Sequence, residues 1–105
     1  MQFAGTPEPP YWAVVFTSRL KTKSHGYVET SRRMEELARK QPGFLGVESI
    51  RNENGVGITV SYWESKKAIR NWGEHPEHKA AQRKSGEWYD AYRVRICKVE
   101  RDHDA

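Results

Sequence analysis

Between residues 11 and 100 the apolar positions follow two rhythms. Tyr11 to Arg19 (YWAVVFTSR) is rich in aromatic and β-branched residues, which predicts a strand. One face carries Trp12, Val14, Phe16 and Ser18, the other Ala13, Val15 and Thr17. Both faces are largely apolar, so this strand is expected to be covered on both sides. After the His25-Gly26 interruption the spacing changes to three and four. Tyr27, Thr30, Met34, Leu37, Ala38 and Gln41 share one side of a helix, and Glu29, Arg32, Arg33, Glu36, Arg39 and Lys40 lie elsewhere on the wheel. Pro42-Gly43 ends that helix. Phe44 to Asn52 and Gly57 to Trp63 read as two strands around Glu53-Asn54-Gly55-Val56. Asn-Gly predicts a type I′ hairpin turn, whose two central residues both need positive φ.

Ser65 is placed to cap a short helix with Ala68, Ile69 and Trp72 on its inner side. His75-Pro76 breaks it, with Pro76 suited to the first position of another helix running to about Glu87. A last strand, about Trp88 to Glu100, alternates Tyr92, Val94 and Ile96 with Arg93, Arg95 and Cys97. The order β-α-β-β-α-β, with the second helix split, is the ferredoxin-like α+β arrangement. A four-stranded antiparallel sheet of this kind takes its helices on one face. The apolar second face is expected to meet another sheet, in a symmetric homodimer whose two sheets form one dimeric α+β barrel. Residues 1–10, with three of the five prolines, read as a flexible N-terminal arm held through Phe3. Residues 11–100 form the domain and residues 101–105 a charged tail.

Composition strengthens the case for a partner. Val, Ile, Leu and Phe together number only 18 of 105, and four Trp and five Tyr must supply much of the buried area. A chain so poor in aliphatic residues gains by burying more surface in a second copy. The net charge of +4 comes from Lys and Arg spread over the helices among Glu, which reads as solvated helix faces rather than a nucleic-acid surface. Its positive field suits anionic small molecules. No run approaches the ~20 apolar residues of a membrane span, and no signal-peptide pattern opens the chain. Cys97 is the one cysteine, which excludes an internal disulfide and fits a cytoplasmic setting. His75 and His78 have spacing for a metal pair, but no third ligand lies near in sequence. No Gly-rich phosphate loop is present.

Several runs resemble one family. Gly43-Phe44-Leu45-Gly46-Val47-Glu48, Ser61-Tyr62-Trp63-Glu64-Ser65, Ala68-Ile69-Arg70-Asn71-Trp72 and His75-Pro76-Glu77-His78-Lys79-Ala80-Ala81 resemble the antibiotic biosynthesis monooxygenase (ABM) domain family, over about residues 11–100. The resemblance implies a homodimeric α+β barrel with a pocket between sheet and helices. In the haem-degrading branch a helix Trp, here Trp72, works with a haem-ligating His and a first-strand Asn. Those two positions fall on Gln82 and near Thr17 or Ser18. Glutamine has no imidazole nitrogen for iron, and His78 lies about one helical turn earlier. In the cofactor-free branch the strand-end Trp corresponds to Trp63, and an Asn four residues earlier to Thr59. Residues four apart on a strand share a face.

The resemblance implies a monooxygenase that oxidises a small aromatic or polycyclic phenol or quinol with O₂, without metal or flavin. His78, Trp72 and Trp63 are the candidate catalytic residues: His78 as the base toward a phenol, and the two Trp as stacking platforms. Thr59, Asn71, Phe16 and Met34 are the candidate substrate contacts. Two other readings stand beside it. One is a dimer that binds haem or a metabolite without turnover, the other a haem-degrading monooxygenase. Trp63, Trp72 and Met34 also have a bland reading, as aromatic and sulfur filling of a leucine-poor core.

Overall fold

The computed structural model describes residues 1–105. The elements run β1 (Tyr11–Leu20), α1 (Tyr27–Arg39), β2 (Phe44–Arg51), β3 (Val56–Trp63), α2 (Lys66–Gly73), α3 (Pro76–Arg83), α4 (Ser85–Trp88) and β4 (Tyr89–Val99). All strand pairs are antiparallel and the sheet order is β2-β3-β1-β4. This is the expected ferredoxin-like α+β fold. The second helical segment is cut once more than the sequence pattern predicts, at Lys84, which caps both α3 and α4.

Local chemistry sets most of the boundaries. Ser65 Oγ accepts from the Ala68 amide at 3.0 Å and starts α2. His75 caps α3, its Nδ1 accepting from the Glu77 amide at 3.2 Å, and Pro76 follows at the first helical position. After α1 the chain turns at Gly43 with φ 87°, where a Cβ would sit 2.6 Å from that of Ala68. Only glycine supplies that backbone and lets α2 approach so closely.

The β2–β3 turn is not type I′. Gly55 has φ 87°, but no residue other than glycine has positive φ, so Asn54 does not take the conformation that turn requires. Asn52 organises the loop instead. Its Oδ1 accepts from the amides of Asn54 and Val56, both at 3.0 Å, and its carbonyl accepts from the Gly55 amide. This is a type I turn followed by a left-handed glycine. The resulting register pairs Arg51 with Gly57, Ser49 with Thr59 and Val47 with Ser61.

Register across all four strands defines two faces. The helix-facing side is laid out in four rows: Arg51-Gly57-Ser18-Tyr92, Ser49-Thr59-Phe16-Val94, Val47-Ser61-Val14-Ile96 and Phe44-Trp63-Trp12-Lys98. The core sits at the last row, where Trp63 is 1% exposed among Ala38 and Ala68, with Val14, Phe44, Ile69 and Trp72 packed around. The opposite face carries Ala13, Val15, Thr17, Ile50, Ile58 and Val60. Its Tyr11–Tyr62 end is roofed by the N-terminal arm. The Ala4 amide donates to Glu48 Oε2 at 2.9 Å, Tyr62 donates to Glu48 Oε1 at 2.7 Å, and Tyr11 donates to Asp102 of the tail. The arm is thus held through Ala4. Phe3, expected to be the anchor, is 82% exposed. No helix is long and apolar enough to cross a membrane.

Candidate active site

The helix-facing side of the sheet should be the most buried surface of an α+β domain, yet its middle is open. None of the eight residues in the two central rows is buried, and Val94 and Ile96 are about half exposed. The floor is mixed in character. Val14, Val47, Phe16, Val94 and Ile96 make it apolar, while Ser49, Thr59 and Ser61 bring three hydroxyls. Thr59 Oγ1 and Ser49 Oγ share a hydrogen bond of 2.7 Å, and Ser61 Oγ accepts from Trp63 Nε1 at 2.9 Å. Phe16 lies between Thr59 and Val94 and meets Tyr89 and Tyr92 at ring-centre distances of 5.3 and 5.7 Å.

At the Trp63 end of this floor stand Trp72 and His78. Trp72 packs against the core from α2, and the His78 ring stacks on it with centres 4.3 Å apart and planes 13° from parallel. His78 Nδ1 lies 2.9 Å from the Trp72 carbonyl oxygen. A carbonyl only accepts, so in the neutral ring Nδ1 carries the hydrogen and Nε2 keeps the lone pair. Burial lowers the His78 pKa below the usual imidazole value. The bond to the Trp72 carbonyl opposes that shift, and the charge of His75 adds to it. The result is a neutral imidazole near pH 7, oriented by one nitrogen with the other free to take a proton.

The structure brings together some of the candidate residues and separates others. Phe16 and Thr59 are cross-strand neighbours on the open floor. Trp72 and His78 form one stacked unit beside it. Trp63 is sealed in the core, edge-on to Phe44 at 5.4 Å, and offers no ring face for stacking. Asn71 and Gln82 are exposed. Met34 lies away from the floor. It lines a groove of about 310 Å³ between α1, α3 and α4, with Trp88. Arg33 Nε and Nη2 reach the two Glu77 carboxylate oxygens, each at 3.0 Å, and join α1 to α3 beside that groove. Both His75 and His78 contact the Trp72 ring, and no three His, Cys, Asp or Glu side chains converge anywhere.

Sequence reasoning passed over the far end of the floor. There Arg51 crosses above Gly57, where a Cβ would lie 2.8 Å from the guanidinium carbon. It reaches Ser18 and the rings of Tyr27 and Tyr89. The signal was the Arg51–Gly57 pairing, which becomes visible only once the turn is read correctly.

Comparison with known proteins agrees with this architecture. Residues 14–84 match the profile of the family described as antibiotic biosynthesis monooxygenase. The chain is 56% identical over 97 residues to the uncharacterized protein YqjZ of Bacillus subtilis, spanning 91% of this chain and 85% of YqjZ. Its fold is similar to that of SnoaB, a cofactor-independent oxygenase from Streptomyces nogalater, with a TM-score of 0.77 and 11% identity over 90% of this chain and 97% of that one. Protein SO0527 of Shewanella oneidensis is similar too, with a TM-score of 0.77 and 10% identity over 89% and 94% of the respective chains. At such identities the structural likeness speaks for the fold alone.

Proposed function

The chain belongs to the antibiotic biosynthesis monooxygenase family, and from that premise we propose that it is a cofactor-independent monooxygenase acting on an aromatic phenol or quinol. One observation carries the reading. The helix-facing floor of the sheet is left open and largely apolar, with a neutral, oriented imidazole at one end. Flat rings fit such a floor, since Phe16, Val14, Val94 and Ile96 present apolar surface that gains by being covered.

In this reading His78 Nε2 removes the phenolic proton, and the Trp72 carbonyl steadies the imidazolium through Nδ1–H. Trp72 holds that ring flat, and the Thr59–Ser49 hydroxyl pair meets polar substituents of the substrate. The electron-rich anion then reacts with O₂. For a ring methylene oxidised to a carbonyl the balance is CH₂ + O₂ → C=O + H₂O, so the substrate supplies all the electrons. Trp63 supports the site from the core, and Asn71 and Met34 have no part in this reading. SnoaB, which shares the fold, is a cofactor-independent oxygenase, and the reading takes the same form here. The residues present do not fit haem ligation as that branch of the family arranges it, because Gln82 is an exposed amide. We also propose that the working form is a homodimer closed over the other sheet face.

Oxygen uptake by the metal-free protein with a panel of anthrones and hydroquinones tests the reading. Uptake is expected, with loss of at least ~10²-fold in His78→Ala, the typical size of one acid–base contribution. Binding of the same compounds without uptake would replace the oxygenase by a metabolite-binding dimer. Uptake only after haem and a reductant are added would overturn the cofactor-free mechanism.

A further inference from the structure

Arg51 is a half-buried cation with no anion. Its Nη1 donates to the carbonyls of Ser18 and Gly55, and its Nη2 to Ser18 Oγ at 2.9 Å and Tyr27 Oη at 3.4 Å. All four acceptors are neutral. The three ion pairs of the molecule, Arg19–Asp90, Arg33–Glu77 and Arg39–Glu35, lie elsewhere. The Nε–H makes no hydrogen bond. Because no fully buried side-chain nitrogen or oxygen lacks a partner, that nitrogen reaches solvent. The guanidinium carbon lies 5.8 and 5.9 Å from the ring centres of Tyr27 and Tyr89.

The arrangement is costly for a mere strut. A partly desolvated charge is stabilised far better by an opposite charge than by neutral oxygens, and a neutral side chain would serve to pin the turn. The sequence also clears space for this cation, since Gly57 leaves vacant the position that the guanidinium crosses. Aromatic surface runs from it along the floor: Tyr89 contacts Phe16, which contacts Tyr92, and Val94 and Ile96 continue the stripe, half exposed.

We propose that Arg51 is the anion-binding end of the cleft, taking the carboxylate of an aromatic acid whose rings lie over Phe16, Tyr92 and Val94. This rests on the reading of the floor as an aromatic-binding cleft, and it narrows the ligand to a ring system that carries an ionised carboxyl group at one end. The Nε–H supplies an unused donor. The hydrogen bonds to Ser18, Gly55 and Tyr27 fix the plane of the guanidinium, and the Tyr27 and Tyr89 rings, edge-to-face with each other, flank it, so its direction of approach is set before the ligand arrives.

Calorimetric titration of the full chain with 2-naphthoate and its neutral isostere 2-naphthamide tests the site. Naphthoate is expected to bind at least tenfold more tightly at 50 mM NaCl, with the gap narrowing at 0.5 M. In Arg51→Gln naphthoate should fall to the affinity of naphthamide while naphthamide stays unchanged. Arg32→Gln, which removes an exposed charge from α1, should keep the preference. Equal affinities in the native chain overturn the Arg51 site and leave the cleft standing, a result that does not depend on any variant folding. Equal loss of the preference in Arg32→Gln overturns it too, by assigning the effect to diffuse charge. Binding of neither compound overturns the cleft and this site together.

Discussion

His78 shows how much of the proposed chemistry rests on one side chain and its partners. Its ring is desolvated against Trp72, which lowers its proton affinity in the folded state. The unfolded chain, with an ordinary imidazole near pH 6.5, therefore binds the proton first as the solution is acidified. The stability contributed by neutral His78 is fully present above about pH 6.5 and is lost as pH falls through the lowered folded value. Thermal melts from pH 7.5 to 5 should show that decline in the native chain and a flatter profile in His78→Gln. An equal slope in both would mean that His78 is not the group responsible. The same shift places the acid limb of the oxygenase pH profile below the usual imidazole range. Trp63 carries the opposite lesson. Its position at the end of a strand before Ser65 was legible, but whether its ring faced a ligand or the core depended on how Ala38 and Ala68 close over it. Those contacts come from distant segments and leave no local trace in the sequence.

At the scale of elements, the β2–β3 hairpin decides what faces the floor. A type I′ turn centred on Asn54-Gly55 would pair Arg51 with Ile58. The observed turn pairs Arg51 with Gly57. One residue of slip exchanges the two faces of a strand, so the anion end of the cleft exists only because Asn52 wins the turn. The strands themselves were readable from alternation, and the caps at Ser65 and Pro76 from residue type. The register was not, because two adjacent asparagine signals compete for the same loop. Gly55 is the pivot: it takes φ 87°, and an added Cβ would lie 2.8 Å from the Leu20 carbonyl oxygen. Gly55→Ala should therefore cost about 1–3 kcal/mol, the usual price of left-handed strain at a non-glycine residue. A urea midpoint unchanged from the native value would show that the loop can adopt another turn. Since the Gly55 carbonyl is also a partner of Arg51, the same variant should weaken the preference for naphthoate.

At the scale of the whole molecule, the monomer leaves too much apolar surface in water. Only ten of 105 residues are buried, while on the face away from the helices Ile50 is 64% exposed and Ile58 45%. The arm covers the Tyr11–Tyr62 end of that face, and the rest has no cover within the chain. Edge strand β4 is exposed from Asp90 to Lys98, so its unpaired backbone edge lies open along most of its length. A second copy placed sheet to sheet covers that face, as the apolar residues on both faces of β1 predict. If the dimer is the stable form, folding and association are linked, and the melting temperature must rise with protein concentration. Light scattering at micromolar concentration should give twice the 12.2 kDa chain mass. Ile58→Asp, which puts a charge at the centre of the uncovered face, should shift the mass toward one chain. It should also lower the melting temperature and remove its concentration dependence. A native chain of monomeric mass whose melting temperature ignores concentration would sink the dimer. The cleft lies on the opposite side of the sheet, so naphthoate binding by Ile58→Asp then separates two roles of the second copy. Retained affinity makes the dimer a support for a thin core, whereas lost affinity in a still-folded monomer makes the second copy part of what shapes the site.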